Sequence, residues 1–242
     1  MFRGFPSLNF QMNNEAYSFS GCTFWLDACA GLDTQTNLGA ISKWVEKTRG
    51  IIFAQTTAGN QPRLILNDAN FNNKPSVDFF NANKRLALSG SSIGVNRNQT
   101  LAIVFRKQSN AAGTNAHLTA LLGSSSGNCF IAEHGTTNVS FTETVGIGGS
   151  NNTAVYSDNG IGDANPHIVV LSGANFISDG AAVTPSGSYP WASFEFSYIS
   201  GEGGSNSNGV IQVAEVVIWN RSCSQAECIE ISDGLNDKYA IY

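Results

Sequence analysis

The stretch YSDNGIGDANPH, Tyr156 to His167, gathers the most promising oxygen ligands in this chain. Asp158, Asn159 and Asp163 carry carboxylate and amide oxygens of the kind a hard cation takes, and Asp158 and Asp163 are the calcium candidates. D-N-G is also a plain turn signal, and the turn is the preferred reading, so no cofactor is expected. Further on, Tyr189 and Trp191 flank Pro190. Such a pair is either a platform for stacking on a sugar ring or the edge of a core. With Tyr156, these residues form the candidate ligand-binding set.

Catalytic groupings are harder to find. Glycosidic cleavage needs two carboxylates across the scissile bond, and no E-x-D-x-E strand occurs. Glu195 and Glu215 each lack an acidic residue two or four positions away. His117, His134 and His167 lie in separate segments without H-E-x-x-H, and each reads as a satisfied surface or turn histidine. No nucleophile elbow is expected, and GIGGS (Gly146–Ser150) reads as a turn between strands. Glu143 shares an alternating face with Val139, Phe141, Val145 and Ile147, and reads as a hydrogen-bonded inward carboxylate. The expectation is a protein that is not an enzyme.

The elements that must hold these residues are strands. Thr23–Asp27, Ile51–Gln55, Arg63–Leu66, Ser76–Phe80 and Arg85–Leu88 are short strand candidates between Gly, Asn and Ser turns. Leu101–Phe105 and Ile168–Leu171 are unbroken apolar runs, predicted to be central strands covered on both faces. WASFEFSYI alternates, with Ala192, Phe194, Phe196 and Tyr198 on one face. A last strand is predicted over Gly209–Trp219. Ser224 and Glu227 then make a capping box that starts a helix. Cys228, Ile231, Leu235 and Tyr239 form its apolar stripe, expected to close an open end of the core.

Composition narrows the classes further. The 242 residues are 42% hydrophobic but only 13% charged, where about 25% charged is usual for soluble domains. In place of charge stand 26 Asn and 25 Gly, residues that tolerate positive φ in turns. A net charge of −5 and the absence of any Lys/Arg cluster exclude nucleic acid as an expected partner. No apolar run approaches the roughly 20 residues that cross a bilayer, so no membrane insertion is expected. The opening MFRGFPSLNFQMNNEAYSFSG has no apolar core for a signal peptide, so synthesis in a host cytoplasm is expected. The five cysteines are odd in number and lack a C-x-x-C pair, and are read as free buried thiols. Residues 1–20 read as an arm carrying Phe2, Phe5, Phe10 and Tyr17, and residues 21–242 as one sandwich.

VAEVVIWNRSCSQAECIEISDGLNDKYAIY (Val213–Tyr242) resembles the C-terminus of the concanavalin A-like lectin/glucanase (laminin G-like) family. There a strand runs into a short S-x-x-E helix and then L-x-x-K-Y. FWLDA (Phe24–Ala28), WVEKTRG (Trp44–Gly50), Gln61–Leu88 and NFISDGAAV (Asn175–Val183) match further family segments in order. The resemblance implies an all-β fold: an antiparallel two-sheet jelly-roll sandwich with a short C-terminal helix. The chain departs from the family at FFNANKRL, with no carboxylate between Phe79 and Leu88, which puts a family metal or ligand role there in doubt. Phage structural proteins use this fold. The reading is a non-catalytic surface protein of a virus particle, as capsid decoration or fibre tip, adhering to glycans or a receptor. Its expected partners are other virion proteins or copies of itself, met through the arm, and a homo-oligomer is expected. The alternative is a lectin-like module of a secreted cellular protein.

Overall fold

The computed structural model describes residues 20–81, 83–109, 118–123, 129–134, 144–148, 154–157, 164–184, 193–200 and 210–242. The first strands are β1 (Cys22–Asp27), β2 (Lys43–Val45), β3 (Ile52–Ala54), β4 (Arg63–Asp68), β5 (Lys74–Phe79), β6 (Leu86–Leu88) and β7 (Ile93–Asn96). There follow β8 (Thr100–Ser109), β9 (Leu118–Gly123), β10 (Cys129–His134), β11 (Thr144–Gly148) and β12 (Ala154–Ser157). β13 (Pro166–Ser172), β14 (Asn175–Ser178), β15 (Ala181–Ala182), β16 (Ser193–Phe196), β17 (Tyr198–Ile199) and β18 (Val210–Trp219) lead into helix α1 (Gln225–Tyr239).

All strand pairs are antiparallel, and they make a sandwich. One sheet runs β15-β14-β13-β8-β18-β5-β4, and a second runs β12-β11-β10-β9-β17-β6-β3-β2. The pair β16-β7 forms a small third sheet. Strand β18 organises the first sheet. One of its edges pairs with β8, while the other is shared: β5 takes Ile211–Val213 and β1 takes Glu215–Trp219.

Between the sheets lies the main core, with Phe24, Leu101, Ile103, Phe105, Val169, Leu171, Val213 and Val216 from one side and Trp44, Phe53, Leu86 and Ile199 from the other. Phe24, Phe53 and Phe196 bring one ring from each of the three sheets together. Phe24 meets Phe53 and Phe196 edge-on at 6.1 and 5.7 Å, and Phe53 stacks on Phe196 at 6.2 Å. These are favoured aromatic geometries.

The runs at β8 and β13 are buried on both faces, as their unbroken apolar character predicts. Ala102, Val104, Ile168 and Val170 turn away from the main core and support α1. The capping box at Ser224 and Glu227 is formed, and Arg221 adds a 2.9 Å bond to Glu227. Cys228, Ile231, Leu235 and Tyr239 are all fully buried. Their position corrects one expectation. The helix lies on the outer face of the first sheet, over β13 and β14, and makes a second core there instead of closing an end of the first. A sheet whose two faces are both apolar needs such a cover.

A second correction concerns Tyr198. The chain bends at Ser197 and passes from the β16-β7 pair to the second sheet. Alternation is broken there: Phe194, Phe196 and Ile199 are buried, and Tyr198 is only partly so. Among the described residues no helix is long and apolar enough to cross a membrane.

Candidate functional site

The residues singled out from sequence fall mostly beyond the described chain. Phe2, Phe5, Phe10, Tyr17, Asp158, Asn159, Asp163, Tyr189 and Trp191 lie outside the described residues, as do Glu143 and His117. Tyr156 lies on β12, paired with Val145 of β11. Among the described residues no group of His, Cys, Asp or Glu is arranged to hold a metal ion. His167 is buried on β13, not at the surface, and its Nδ1 sits 2.8 Å from Asp179 Oδ2. The other Asp179 oxygen accepts from the Ile168 amide, so this histidine is held in the fold. Cys22, Cys29, Cys223 and Cys228 are free thiols. Cys223 and Cys228 are buried, Cys22 is partly so, and Cys29 is exposed, against the reading that all are buried. Burial pushes both the Cys22 and Cys29 thiols up to about 11.

One cluster unites side chains of catalytic type, and it joins residues that sequence spacing left isolated. Glu215 and Asp27 are direct cross-strand partners in the β18-β1 pairing. Lys238 reaches down from α1 between them, 2.9 Å from Glu215 Oε2 and 3.4 Å from Asp27 Oδ1. Trp25 Nε1 donates to Glu215 at 2.6 Å, and the Tyr239 hydroxyl donates to it at 2.8 Å. Lys47 pairs with Asp27 at 3.2 Å and lies 3.5 Å above the Trp25 ring.

Glu215 faces the helix because the β18-β8 register slips between Val213 and Glu215. That bulge turns Ala214 and Glu215 the same way, after which Val216 returns to the main core. Burial raises the Glu215 carboxyl, with Lys238 opposing it. Burial opposes the charge of Lys238, but Glu215 and Asp27 outweigh it and hold the ammonium above its ordinary value. Burial likewise opposes the charge on Asp27, and Lys238, the Cys29 amide and Lys47 outweigh it, so that carboxyl is lowered. The Glu215 side chain is 0% exposed and Lys238 only 11%, so no substrate reaches this pair. What the arrangement does is fasten α1 to the split edge of β18.

A second carboxylate shapes a surface feature. Glu46, at the heart of WVEKTRG, accepts from the amides of Trp25 (2.7 Å), Thr48 (2.6 Å) and Arg49 (2.8 Å), and from the Thr48 hydroxyl. Burial would raise its pKa, but these donors outweigh that and lower it. The turn closes on Gly50, whose φ of 72° favours glycine. The Arg49 backbone is thereby held beside a groove of about 580 Å³ that its residue helps to line.

This groove opens where the end of the sandwich exposes the edge of the main core. Phe24, Ile51, Leu88, Ile93 and Ile218 form its apolar lining, and Ser89, Ser91, Gln99, Asn220 and Arg49 its polar lining. Among the described residues no carboxylate lines it. Its volume falls in the range of small-molecule sites, about 300–1,000 Å³. Gly90–Gly94 does carry the G-x-S-x-G spacing, contrary to the expectation of no elbow. Ser92 there enters a strand and not a helix, and its hydroxyl donates to Glu195 at 2.6 Å. Among the described residues no histidine bonds to it, and without the strand–turn–helix setting the spacing does not make the elbow motif. Sequence alone offered no signal for this groove, since its residues come from well-separated turns and strand ends.

No protein-family model matches the sequence, and no curated protein matches it. Among solved structures, the chain is similar to Trypanosoma rangeli sialidase in complex with the inhibitor DANA, at 12% identity and a TM-score of 0.43, over 88% of this chain and 33% of that one. It is also similar to Domain 4 of AbnA, a GH43 extracellular arabinanase from Geobacillus stearothermophilus, in complex with arabinotriose. There the identity is 10% and the TM-score 0.48, over 81% of this chain and 98% of that one. The binding domain of Paraclostridial Mosquitocidal Protein 1 matches at 10% identity and a TM-score of 0.41, over 75% of this chain and 49% of that one. The chain thus spans about a third of the sialidases' length.

Proposed function

We propose that this chain is a non-catalytic binding protein of a virus particle surface, of the phage capsid-decoration or fibre-tip kind, that takes a saccharide in the groove beside Arg49. One observation carries the binding reading: the groove joins an apolar floor to polar side chains, and among the described residues no carboxylate lines it. A sugar presents C–H faces to such a floor and hydroxyls to such a rim. Among the described lining residues the two-carboxylate route of hydrolysis finds no acid and no nucleophile. The buried pair Asp27 and Glu215 is engaged by Lys238 and closed to substrate. The particle setting is supported by the sparsely charged composition and by the aromatic-bearing first twenty residues, which would seat the protein on its shell or on further copies.

Gly94 supplies the test. It lines the groove, a Cβ there meets nothing within 4 Å, and its φ is not in the left-handed region. Gly94→Trp is therefore expected to obstruct the groove while leaving the backbone of the strand free of a Cβ clash. Wild-type protein should be retained by members of an immobilised glycan panel, and Gly94→Trp should lose that retention with its melting temperature unchanged. No retention of the wild type, or undiminished retention of the variant, would overturn the reading.

A further inference from the structure

The hydrogen-bonding balance of the groove selects among saccharides. Arg49 is exposed, and its guanidinium makes no hydrogen bond or ion pair with another described residue. Its backbone amide alone is used, by Glu46. Asn220 likewise makes no side-chain hydrogen bond with another described residue. Gln99, which also lines the groove, accepts from the Asn96 amide through Oε1, and its NH₂ bonds to no other described residue. The guanidinium offers five N–H donors and the two amide NH₂ groups two each, while the acceptors among the described lining side chains are neutral hydroxyls and the Asn220 amide oxygen. Glu195 stands nearby, but its carboxylate is turned to Ser92 and does not line the cavity.

A donor-rich, singly cationic groove over an apolar floor is matched by a ligand with acceptors, one negative charge and a C–H face. We infer that the groove's preferred ligand is an acidic saccharide, whose carboxylate is taken by Arg49 and whose ring lies over Ile51, Leu88 and Ile93. This rests on the groove being the binding site proposed above. A guanidinium takes a carboxylate through two parallel charge-assisted bonds, which a neutral hydroxymethyl group does not reproduce.

The experiment compares matched oligosaccharides by titration calorimetry: glucuronate-terminated against glucose-terminated, and galacturonate-terminated against galactose-terminated. Each pair differs only in carboxylate against hydroxymethyl. The wild type should prefer the acidic member of at least one pair by about tenfold. Arg49→Met should reduce that preference to within about twofold, with the larger loss on the acidic member, since a charge-assisted pair of bonds is removed there and only neutral ones elsewhere. Equal wild-type affinity for both members would overturn the inference. If Gly94→Trp abolished that equal binding, the groove itself would stand as the site. A preference retained in Arg49→Met would also overturn it, because the carboxylate would then be read elsewhere. Failure of every ligand to bind would remove both readings together.

Discussion

Lys238→Met is the sharpest probe of how the terminal helix is fastened. Methionine keeps the length and apolar stem of the side chain and removes its charge. Two carboxylates then lose their shared cation: Glu215, 2.9 Å away and 0% exposed, and Asp27, 3.4 Å away and 7% exposed. Asp27 retains Lys47 at 3.2 Å, whereas Glu215 is left with the neutral donors of Trp25 and Tyr239. Removing one partner of a buried pair costs about 3–5 kcal/mol, because the remaining charge stays desolvated. That is a large share of a domain's stability, about 5–15 kcal/mol. At about 2–4 °C per kcal/mol for a chain of this size, the melting temperature should drop by roughly 6–20 °C. Adding Glu215→Gln should restore much of the loss. Glutamine is neutral and still accepts from Trp25 or Tyr239, so the two changes should couple by about 2 kcal/mol or more. Denaturant unfolding with midpoint and slope measured for all four proteins gives the cycle. A loss below about 1 kcal/mol for the single variant, or a double variant no more stable than the single, would refute the latch.

Further consequences follow from the same contacts. The folded-state pKa of Lys238 is raised above 10.5 and that of Tyr239 well above 10.0, so their stabilisation is whole below those values and is lost as pH rises through the folded pKa. Denaturation midpoints should therefore fall on the alkaline side of about pH 10, and less steeply in Lys238→Met. Asp27 and Glu46 are lowered below 3.8 and 4.5, so their contribution is present above those values and is lost as pH falls through the folded pKa; midpoints measured below pH 4.5 should show it. Glu46→Ala strands the buried Trp25 amide, at about 1–3 kcal/mol for an unsatisfied buried donor, and leaves the Thr48 and Arg49 amides to water, so it should destabilise and loosen Arg49, measurable by thermal unfolding and by hydrogen exchange over residues 46–50. Ending the chain after Asn220 bares the second core, whose stripe contributes several kcal/mol at about 25 cal/mol per Å², so the product should bind a hydrophobic dye and lose near-ultraviolet dichroism.

What the sequence disclosed was local. Ser224 and Glu227 bond across three residues, so the helix start is written in adjacent letters. The runs at β8 and β13 needed apolar side chains on both faces whatever covered them. The Glu215 latch is different in kind. Its partners are 23, 24 and 190 residues away, and strict alternation from Val213 would have sent Glu215 into the main core. Only the bulge at Ala214, a property of pairing with β8, turns it to the helix. Tyr198 misled for a similar reason, because the bend at Ser197 changes sheets without a break in the alternating letters. The groove is the least legible feature. Arg49 reads as an ordinary turn cation until Glu46 fixes the turn and Asn220, Gln99 and Ser89 arrive beside it through the fold.

The central claim is binding without cleavage, and one measurement bears on it most directly. Wild-type protein is incubated to exhaustion with a panel of acidic and neutral polysaccharides, and retained ligand and new reducing ends are quantified in the same samples. The account predicts retention of ligand with no reducing ends above those of a protein-free control. Reproducible release of reducing ends, abolished by Glu195→Gln or Glu215→Gln, would contradict it, because it would place a working carboxylate where the structure shows only a hydroxyl's acceptor and a buried latch.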